Sequence, residues 1–228
     1  MFSTIRFLAF VSLCTLVSTK EHPDLLNTCF DARYHKDTPS PEEELHGQCA
    51  SWKDRSCCYY NTTKAFHDSD VWLGFTYNHC GPDHSLSETC RQWFDKDMCF
   101  YDCSPNTGPW IVDNVIRIRN ERFMHVPFCA SQCNAWWEAC KNEFTCHDTW
   151  GKGFNYSTGI NTCPNGNICR PFAEIYENDA TTFCEKIWYY SWKVVPDDQP
   201  CMKIDFTGKN PNDDVTKFYA GQRSGVLG

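Results

Sequence analysis

Apolar side chains recur at three- and four-residue steps in several stretches of the chain, which is the spacing of a helix with one buried face. The segment Ser85-Leu86-Ser87-Glu88 has the pattern of a capping box and predicts the start of the first helix. Asp97 lies on the apolar face of this helix. The apolar residues of that face are Cys90, Trp93, Phe94 and Tyr101.

Two further helices are predicted in the second half of the chain. One follows Pro127, and its cysteines could link it to three other segments. Its buried side is formed by Cys129, Cys133, Trp136, Cys140 and Phe144. The other begins at Asp179, a suitable N-cap, and runs to Tyr190, so that Trp188 and Ser191 share a face if the helix continues that far.

The rest of the chain has the pattern of loops and short strands. Asn106-Thr107-Gly108-Pro109 is one of several turn signals, and a short helix is predicted after Pro211, with Val215, Phe218 and Tyr219 on one side. No internal repeat and no low-complexity linker divides the chain. We therefore predict one helix-rich α+β domain with short strands and long loops.

The first 19 residues have the pattern of a secretory signal peptide, and the predicted domain spans residues 20–228. Arg6 precedes an apolar run from Phe7 to Val17, which is too short to span a bilayer, and small residues follow at Ser18 and Thr19. Removing this segment takes away one of 17 cysteines and one of 21 basic residues. The mature chain would keep 16 cysteines and a formal charge of −9.

An even number of cysteines in a secreted chain predicts a framework of disulfides. The acidic balance disfavours nucleic-acid binding, because no domain-wide basic surface is available to neutralise phosphates. The sequence has no zinc-protease motif, serine-nucleophile elbow or phosphate loop, so we expect neither an enzyme, nor a cofactor, nor a metal site. No second apolar stretch follows the signal peptide, so we expect no transmembrane segment in the mature chain. Sequons at Asn61 and Asn155 predict N-glycosylation.

Asp97 is the most informative single residue in this pattern. A carboxylate on an apolar face near the C-terminus of a helix loses hydration and meets the negative end of the helix dipole, so it needs donors. One interpretation is an internal salt bridge or a loop cap. The other is a ligand with adjacent N–H donors, such as an amino-pyrimidine ring.

Arg117, Arg119 and Arg122 form the densest basic cluster of this acidic chain. They could be a solvated strand face or pair with Glu121, or they could form a local anion site, since guanidinium groups bind carboxylates in a bidentate way. Alternation suits a strand over residues 116–119, whereas the spacing of Arg119 and Arg122 suits a helical turn. Nine tryptophans and ten tyrosines are enough to line a flat aromatic slot as well as the core.

The cysteine order and the sequence around it resemble the folate receptor family, which also includes riboflavin-binding protein and the egg receptor Juno. The segments that carry the resemblance are Asn78-His79-Cys80-Gly81, Cys103-Ser104-Pro105-Asn106-Thr107-Gly108-Pro109-Trp110, Trp136-Trp137-Glu138-Ala139-Cys140 and Asn210-Pro211-Asn212. All 16 cysteines after the signal peptide find counterparts between about Cys29 and Ala220. The resemblance implies the disulfides Cys29–Cys57, Cys49–Cys99, Cys58–Cys103, Cys80–Cys169, Cys90–Cys140, Cys129–Cys201, Cys133–Cys184 and Cys146–Cys163.

The resemblance also implies a deep pocket for folate, with the pterin held between aromatic rings and the glutamate tail at the mouth. Asp97 would accept the pterin N–H groups, Trp188 would stack on the ring, and Ser191 would bind its far edge. The other implied ligand-binding residues are Tyr101, Arg119, Arg122, Lys152, Gly153, Phe154 and Tyr156. Three further wall positions, Leu73, Ile118 and Gly151, depart from the folate-binding pattern. Trp72 is next to Leu73 and could supply the aromatic ring that Leu73 lacks.

We therefore predict an extracellular protein that binds folic acid or reduced folates without catalysis, as a carrier or an endocytic receptor. Because Asp97 must be charged to accept the pterin donors, release at acidic pH is a further hypothesis. The alternatives are a Juno-like recognition protein with a cell-surface partner, favoured by Leu73, Ile118 and Gly151, and a riboflavin carrier. The chain ends at Gly228 without the hydrophobic tail of a GPI signal, which predicts a secreted product.

Overall fold

The computed structural model describes residue 22 and residues 24–224, and its architecture is α+β. The predicted signal peptide and the last four residues lie outside the described residues. Six α-helices occur in the described part of the chain: α1 (Tyr60–Asp68), α2 (Glu88–Cys103), α3 (Ala130–Cys140), α4 (Phe172–Ile175), α5 (Ala180–Lys186) and α6 (Asn212–Ser224). Short 3₁₀ helices occur at Gly47–Trp52, before α1, at Pro82–His84, between α1 and α2, and at Gly108–Trp110, after α2.

The strands of the described residues form three two-stranded sheets. An antiparallel hairpin joins β1 (Ile111–Ile116) to β2 (Arg119–Phe123). The parallel pair is β3 (Val126–Cys129) with β6 (Trp192–Val195), which brings the chain back beside α3 after more than sixty residues. A last antiparallel pair consists of β4 (Phe144–Thr145) and β5 (Arg170–Pro171).

The start of α2 differs from the predicted capping box. The helix begins at Glu88 with Ser87 as its N-cap, whose hydroxyl accepts from the backbone N–H of Cys90. Ser85 lies outside the helix and donates to the carbonyl of Pro82 instead. The prediction was wrong by two residues because both serines can act as a cap, and only Ser87 lies one residue before the first helical turn.

The ends of the other helices also differ from the predicted ones. α3 stops at Cys140, so Phe144 belongs to β4 rather than to the helix. α5 starts after its N-cap Asp179 as predicted but ends at Lys186, and Tyr189 and Tyr190 have left-handed φ angles of 51° and 60°. Left-handed residues cannot continue an α-helix. Trp188 and Ser191 therefore lie in a turn and not on a helix face.

Eight disulfides occur in the described residues, and their pairings are those implied by the resemblance. Two of them join the central helices, Cys90–Cys140 between α2 and α3 and Cys133–Cys184 between α3 and α5. The aromatic core lies between these helices and includes Phe94, Trp136, Phe172 and Phe183. Each disulfide typically contributes about 2–4 kcal/mol, non-additively, which holds the loops around this core in place.

Candidate functional site

A cavity of about 480 Å³ opens beside α2 and the β1–β2 hairpin, a volume suited to a small organic ligand. The buried part of its wall, here called the inner end, is formed mainly by aromatic side chains around Asp97. The exposed part, here called the mouth, is formed by the hairpin tip and by two loops. The lining residues are Phe66, Ser69, Asp70, Trp72, Leu73, Phe75, Tyr77, Arg91, Asp97, Met98, Tyr101, Ile116, Arg117, Ile118, Arg119, Phe123, Trp150, Gly151, Tyr156, Gly159, Trp188 and Ser191.

Asp97 is the acidic group of the inner end. Its side chain lies on α2 with only 4% of the residue exposed, and its Oδ1 accepts from the indole N–H of Trp192 at 2.8 Å. Burial raises its pKa to about 7, against the opposing effect of the Trp192 hydrogen bond. The indole N–H of Trp188 also opposes this rise in pKa, although it makes no hydrogen bond of standard geometry. A donor-rich ligand would stabilise the charged form of this carboxyl group.

Trp188 and Ser191 both line the cavity opposite α2, and Arg122 holds the turn between them. One nitrogen of the guanidinium donates to the carbonyls of Trp188 and Tyr189 at 2.9 and 2.6 Å and to the hydroxyl of Ser191 at 3.0 Å. Ser191 in turn donates to the carbonyl of Trp188. Burial lowers the pKa of Arg122 to about 10, so the group stays charged at neutral pH.

Arg119 and Arg122 separate because they lie on a strand. Residues three apart in a strand point to opposite faces, so Arg119 lies on the cavity side with Phe123, whereas Arg122 lies behind the wall. The helical-turn interpretation of their spacing is therefore wrong. Arg119 donates to the phenolic oxygen of Tyr101 at 3.1 Å and to the side chain of Asn114 at 3.0 Å.

The loop after Gly151 contributes less to the cavity than the resemblance implies. Tyr156 lines it, but Lys152, Gly153 and Phe154 do not. Lys152 lies over the ring of Tyr189 at 4.9 Å, and Phe154 is buried with its ring 4.7 Å from that of His79. Gly153 has a φ of 109° and lies so close to His147 that a Cβ would be 2.5 Å from the ring.

Four of the ten implied ligand-binding residues, namely Arg122, Lys152, Gly153 and Phe154, thus lie outside the cavity wall. This arrangement does not support direct ligand contact by these four. It supports a positioning role for Arg122, because that residue fixes the wall formed by Trp188 and Ser191. The remaining six, Asp97, Tyr101, Arg119, Tyr156, Trp188 and Ser191, all line the cavity.

All four positions at or beside departures from the family pattern line the cavity. Trp72 supplies an aromatic side chain next to Leu73, in a tight turn closed by hydrogen bonds of 2.8 and 2.7 Å between the backbones of Trp72 and Phe75. Leu73 and Gly74 form the centre of this turn with φ angles of 54° and 83°. At Gly151 a Cβ would lie 3.3 Å from the backbone of Trp188, which is a tight contact with that turn. Ile118 lies at the hairpin tip.

Several lining residues were not identified from the sequence. The aromatic ones among them are Phe66, Phe75, Tyr77, Phe123 and Trp150, and the charged ones are Asp70 and Arg91. Phe75 and Tyr77 alternate with Thr76, a pattern of extended chain with one apolar side that could have indicated a wall. No local pattern distinguishes Trp150 from a core tryptophan, because its contacts come from distant segments.

The described residues hold three groups of side chains close enough together for metal binding, and each includes disulfide cysteines. Cysteines 49, 80, 99, 129, 163, 169 and 201 are all oxidised, so they offer no thiolate ligand. Within residues 22 and 24–224, no helix is both long and apolar enough to cross a bilayer.

Comparison with known proteins identifies the family of this chain. The model of the folate receptor family matches residues 28–203. Human folate receptor gamma is 41% identical over 209 residues, which cover 89% of this chain and 84% of that protein. Human folate receptor alpha is 39% identical over 209 residues, which cover 89% of this chain and 80% of that protein. Riboflavin-binding protein of Gallus gallus is 33% identical over 180 residues, 78% of this chain and 71% of that protein. The family consists of binding and transport proteins rather than enzymes. The chain belongs to the folate receptor family.

Proposed function

We propose that this protein binds a folate-type ligand in the cavity, with the pterin ring at the inner end and the tail at the mouth. The observation that carries the proposal is Asp97, a buried carboxyl group in the wall of an aromatic cavity. A pterin offers adjacent N–H donors on one edge, which match a carboxylate in a bidentate way. The names of the similar folate receptors support the same ligand class.

The aromatic side chains complete the proposed pterin site. Trp188 and Trp72 line the cavity together with Phe75 and Tyr101. A planar ring in contact with such side chains gains about 0.5–1.5 kcal/mol for each ring contact beyond its burial. Ser191 has a hydroxyl held by Arg122, so its orientation is set before the ligand arrives.

The cellular role that we propose is carriage or endocytic uptake of folate by a secreted or cell-surface protein. Because the folate receptor family consists of binding and transport proteins, the activity that we propose is binding followed by release.

Substitution of Asp97 tests this proposal. Asp97→Ala removes the acceptor of the pterin donors and should weaken folic acid binding by about 2–4 kcal/mol, measured by titration of tryptophan fluorescence. Asp83→Ala serves as a control for the same change of side chain, because Asp83 is exposed and lies outside the cavity wall. Equal affinity of wild type and Asp97→Ala would refute the proposed role of this residue.

Riboflavin is a second candidate ligand, because riboflavin-binding proteins are 33% identical to this chain. A flavin ring also stacks on aromatic side chains, but it carries fewer N–H donors for a buried carboxylate. Parallel titrations with folic acid and riboflavin separate the two. Binding of neither would favour the third possibility, a recognition protein without a vitamin ligand.

A further inference from the structure

Arg117 occupies a distinctive position at the mouth of the cavity. It lies at the tip of the β1–β2 hairpin, after Ile116 and before Ile118, and all three residues line the cavity. Arg117 is exposed, and its guanidinium donates to the carbonyl of Leu73 at 3.3 Å. The hairpin tip therefore contacts the Leu73–Gly74 turn across the mouth.

The turn that accepts this hydrogen bond is also held by the loop at residues 159–161. The carbonyl of Gly74 accepts from the backbone N–H of Asn161 at 2.9 Å. Gly74 also packs so closely that a Cβ would lie 2.6 Å from the carbonyl oxygen of Gly159. Because this loop fixes the turn, the contact with Leu73 places the Arg117 side chain at a defined point of the mouth.

The charge of Arg117 is largely unused in the described structure. A guanidinium has five N–H donors, and the hydrogen bond to Leu73 uses one of them. Among the described residues no carboxylate lies within 4.0 Å of Arg117 or Arg119, and the nearby Asp70 faces Arg91 at 3.9 Å. In a chain with a formal charge of −8, an unpaired cation at a cavity mouth favours an anionic ligand group.

Arg119 is less available for such a group. Its guanidinium already donates to Tyr101 and Asn114, and it lies nearer to the inner end. The residues beside Arg117, namely Ile116 and Ile118, offer only apolar contact. Discrimination between a charged and a neutral tail at the hairpin tip therefore depends on Arg117.

We propose that Arg117 binds the terminal carboxylates of the ligand tail and makes the protein selective for acidic over neutral tails. This inference rests on the proposed function, since it assigns the tail of the same ligand. A second role, in which Arg117 only holds the Leu73 turn, makes a different prediction. A positioning role would affect every ligand of the cavity equally, whereas a carboxylate contact affects only charged tails.

The experiment compares folic acid with its dimethyl ester, in which both glutamate carboxylates are capped and the ring is unchanged. Arg117→Gln is titrated with both compounds, beside Arg33→Gln as a control with the same change of charge. Arg33 is exposed and lies over the ring of Tyr34, outside the cavity wall. Arg117→Lys tests whether the planar fork is needed or a point charge is sufficient.

We expect the wild type to bind folic acid more tightly than the ester, with a preference that narrows as salt is added. Arg117→Gln should weaken folic acid binding by about tenfold and leave ester binding within about twofold. Arg33→Gln should change neither. If Arg117→Gln weakens the binding of both compounds equally, or changes the affinity for neither, the inference is overturned while the proposed function stays intact. If the wild type binds neither compound, the proposed function fails and this inference with it.

Discussion

The inner end and the mouth of the cavity are built in opposite ways. Asp97 at the inner end and Arg122 behind it are almost completely buried, and they hydrogen-bond to partners from β6 and from the turn before it. At the mouth the lining residues belong to loops and a hairpin tip, and Arg117 has one backbone acceptor in the described structure. Fixed polar groups suit recognition of a rigid ring, whereas an exposed cation suits a flexible charged tail.

The largest expected effect comes from removing Arg122, which supports the inner end from behind. Arg122→Met removes the donors of the Trp188 and Tyr189 carbonyls and of the Ser191 hydroxyl, so the protein should lose about 3–5 kcal/mol of unfolding free energy. Folic acid binding should fall with it, because the Trp188 turn is no longer held. Urea denaturation of the ligand-free protein measures the first effect.

Arg170→Met is a matched control for this variant. Arg170 is exposed and pairs with Glu174 on the surface of the protein, so its loss should change the unfolding free energy by less than about 1 kcal/mol. Similar destabilisation of both variants would show that the buried contacts of Arg122 do not distinguish the inner end from the surface.

An intermediate effect is expected from pH, through Asp97. Its pKa of about 7 in the ligand-free protein means that protons compete with the ligand donors below neutrality. Folic acid affinity should fall by up to about tenfold for each pH unit between 7 and 5, measured by fluorescence titration in buffers of equal ionic strength.

The same group also makes a signed prediction for stability. Since the folded-state pKa lies above the unfolded value, protonation of Asp97 stabilises the ligand-free fold at low pH, and this contribution is lost as the pH rises from about 4 through about 7. Asp97→Asn should therefore be more stable than the wild type at pH 8, by a difference that shrinks on acidification. A pH-independent difference in melting temperature would contradict this assignment.

The smallest expected effect is at the mouth, at Leu73. A leucine with a left-handed backbone is strained, and asparagine tolerates that conformation better. Leu73→Asn should raise the unfolding free energy by less than about 1 kcal/mol and change folic acid affinity by less than about threefold. Thermal denaturation measures the change in stability, and titration of tryptophan fluorescence measures the change in affinity.

Leu26→Asn is the control for Leu73. Leu26 is also partly exposed, at 39%, but it does not have a positive φ. Leu26→Asn should therefore not raise the unfolding free energy. An equal rise in unfolding free energy in both variants would show that the gain in Leu73→Asn does not come from relief of backbone strain.

The helical pattern and the family resemblance together predicted more of the inner end than of the mouth. The helical period placed Asp97 on the apolar face of α2, and the resemblance identified Trp188 and Ser191, which both line the cavity. Strand alternation separates Arg119 from Arg122, but the sequence did not decide between strand and helix there. The partner of Asp97 is Trp192, 95 residues further along the chain, and no local pattern could have connected the two.

The mouth was harder to predict because its geometry depends on contacts between loops. Arg117 contacts Leu73, and Gly74 contacts Asn161, across separations of 44 and 87 residues. Such pairs follow from the tertiary fold and the disulfides rather than from periodicity. The resemblance implied Lys152 and Phe154 as ligand contacts, and this stays a prediction. In the described structure Lys152 lies over the ring of Tyr189 and the ring of Phe154 packs beside His79.

The hydrogen bond between Asp97 and Trp192 has a consequence for biogenesis. Trp192 opens β6, which pairs in parallel with β3, so the inner end of the cavity is incomplete until a late part of the chain has been synthesised and docked. Pairings between residues far apart in the sequence form slowly. A ligand that binds only the finished cavity stabilises the native state by mass action, and the stabilisation grows with its free concentration. The supply of such a ligand during synthesis would then influence how many molecules complete their folding, and not only how many are occupied.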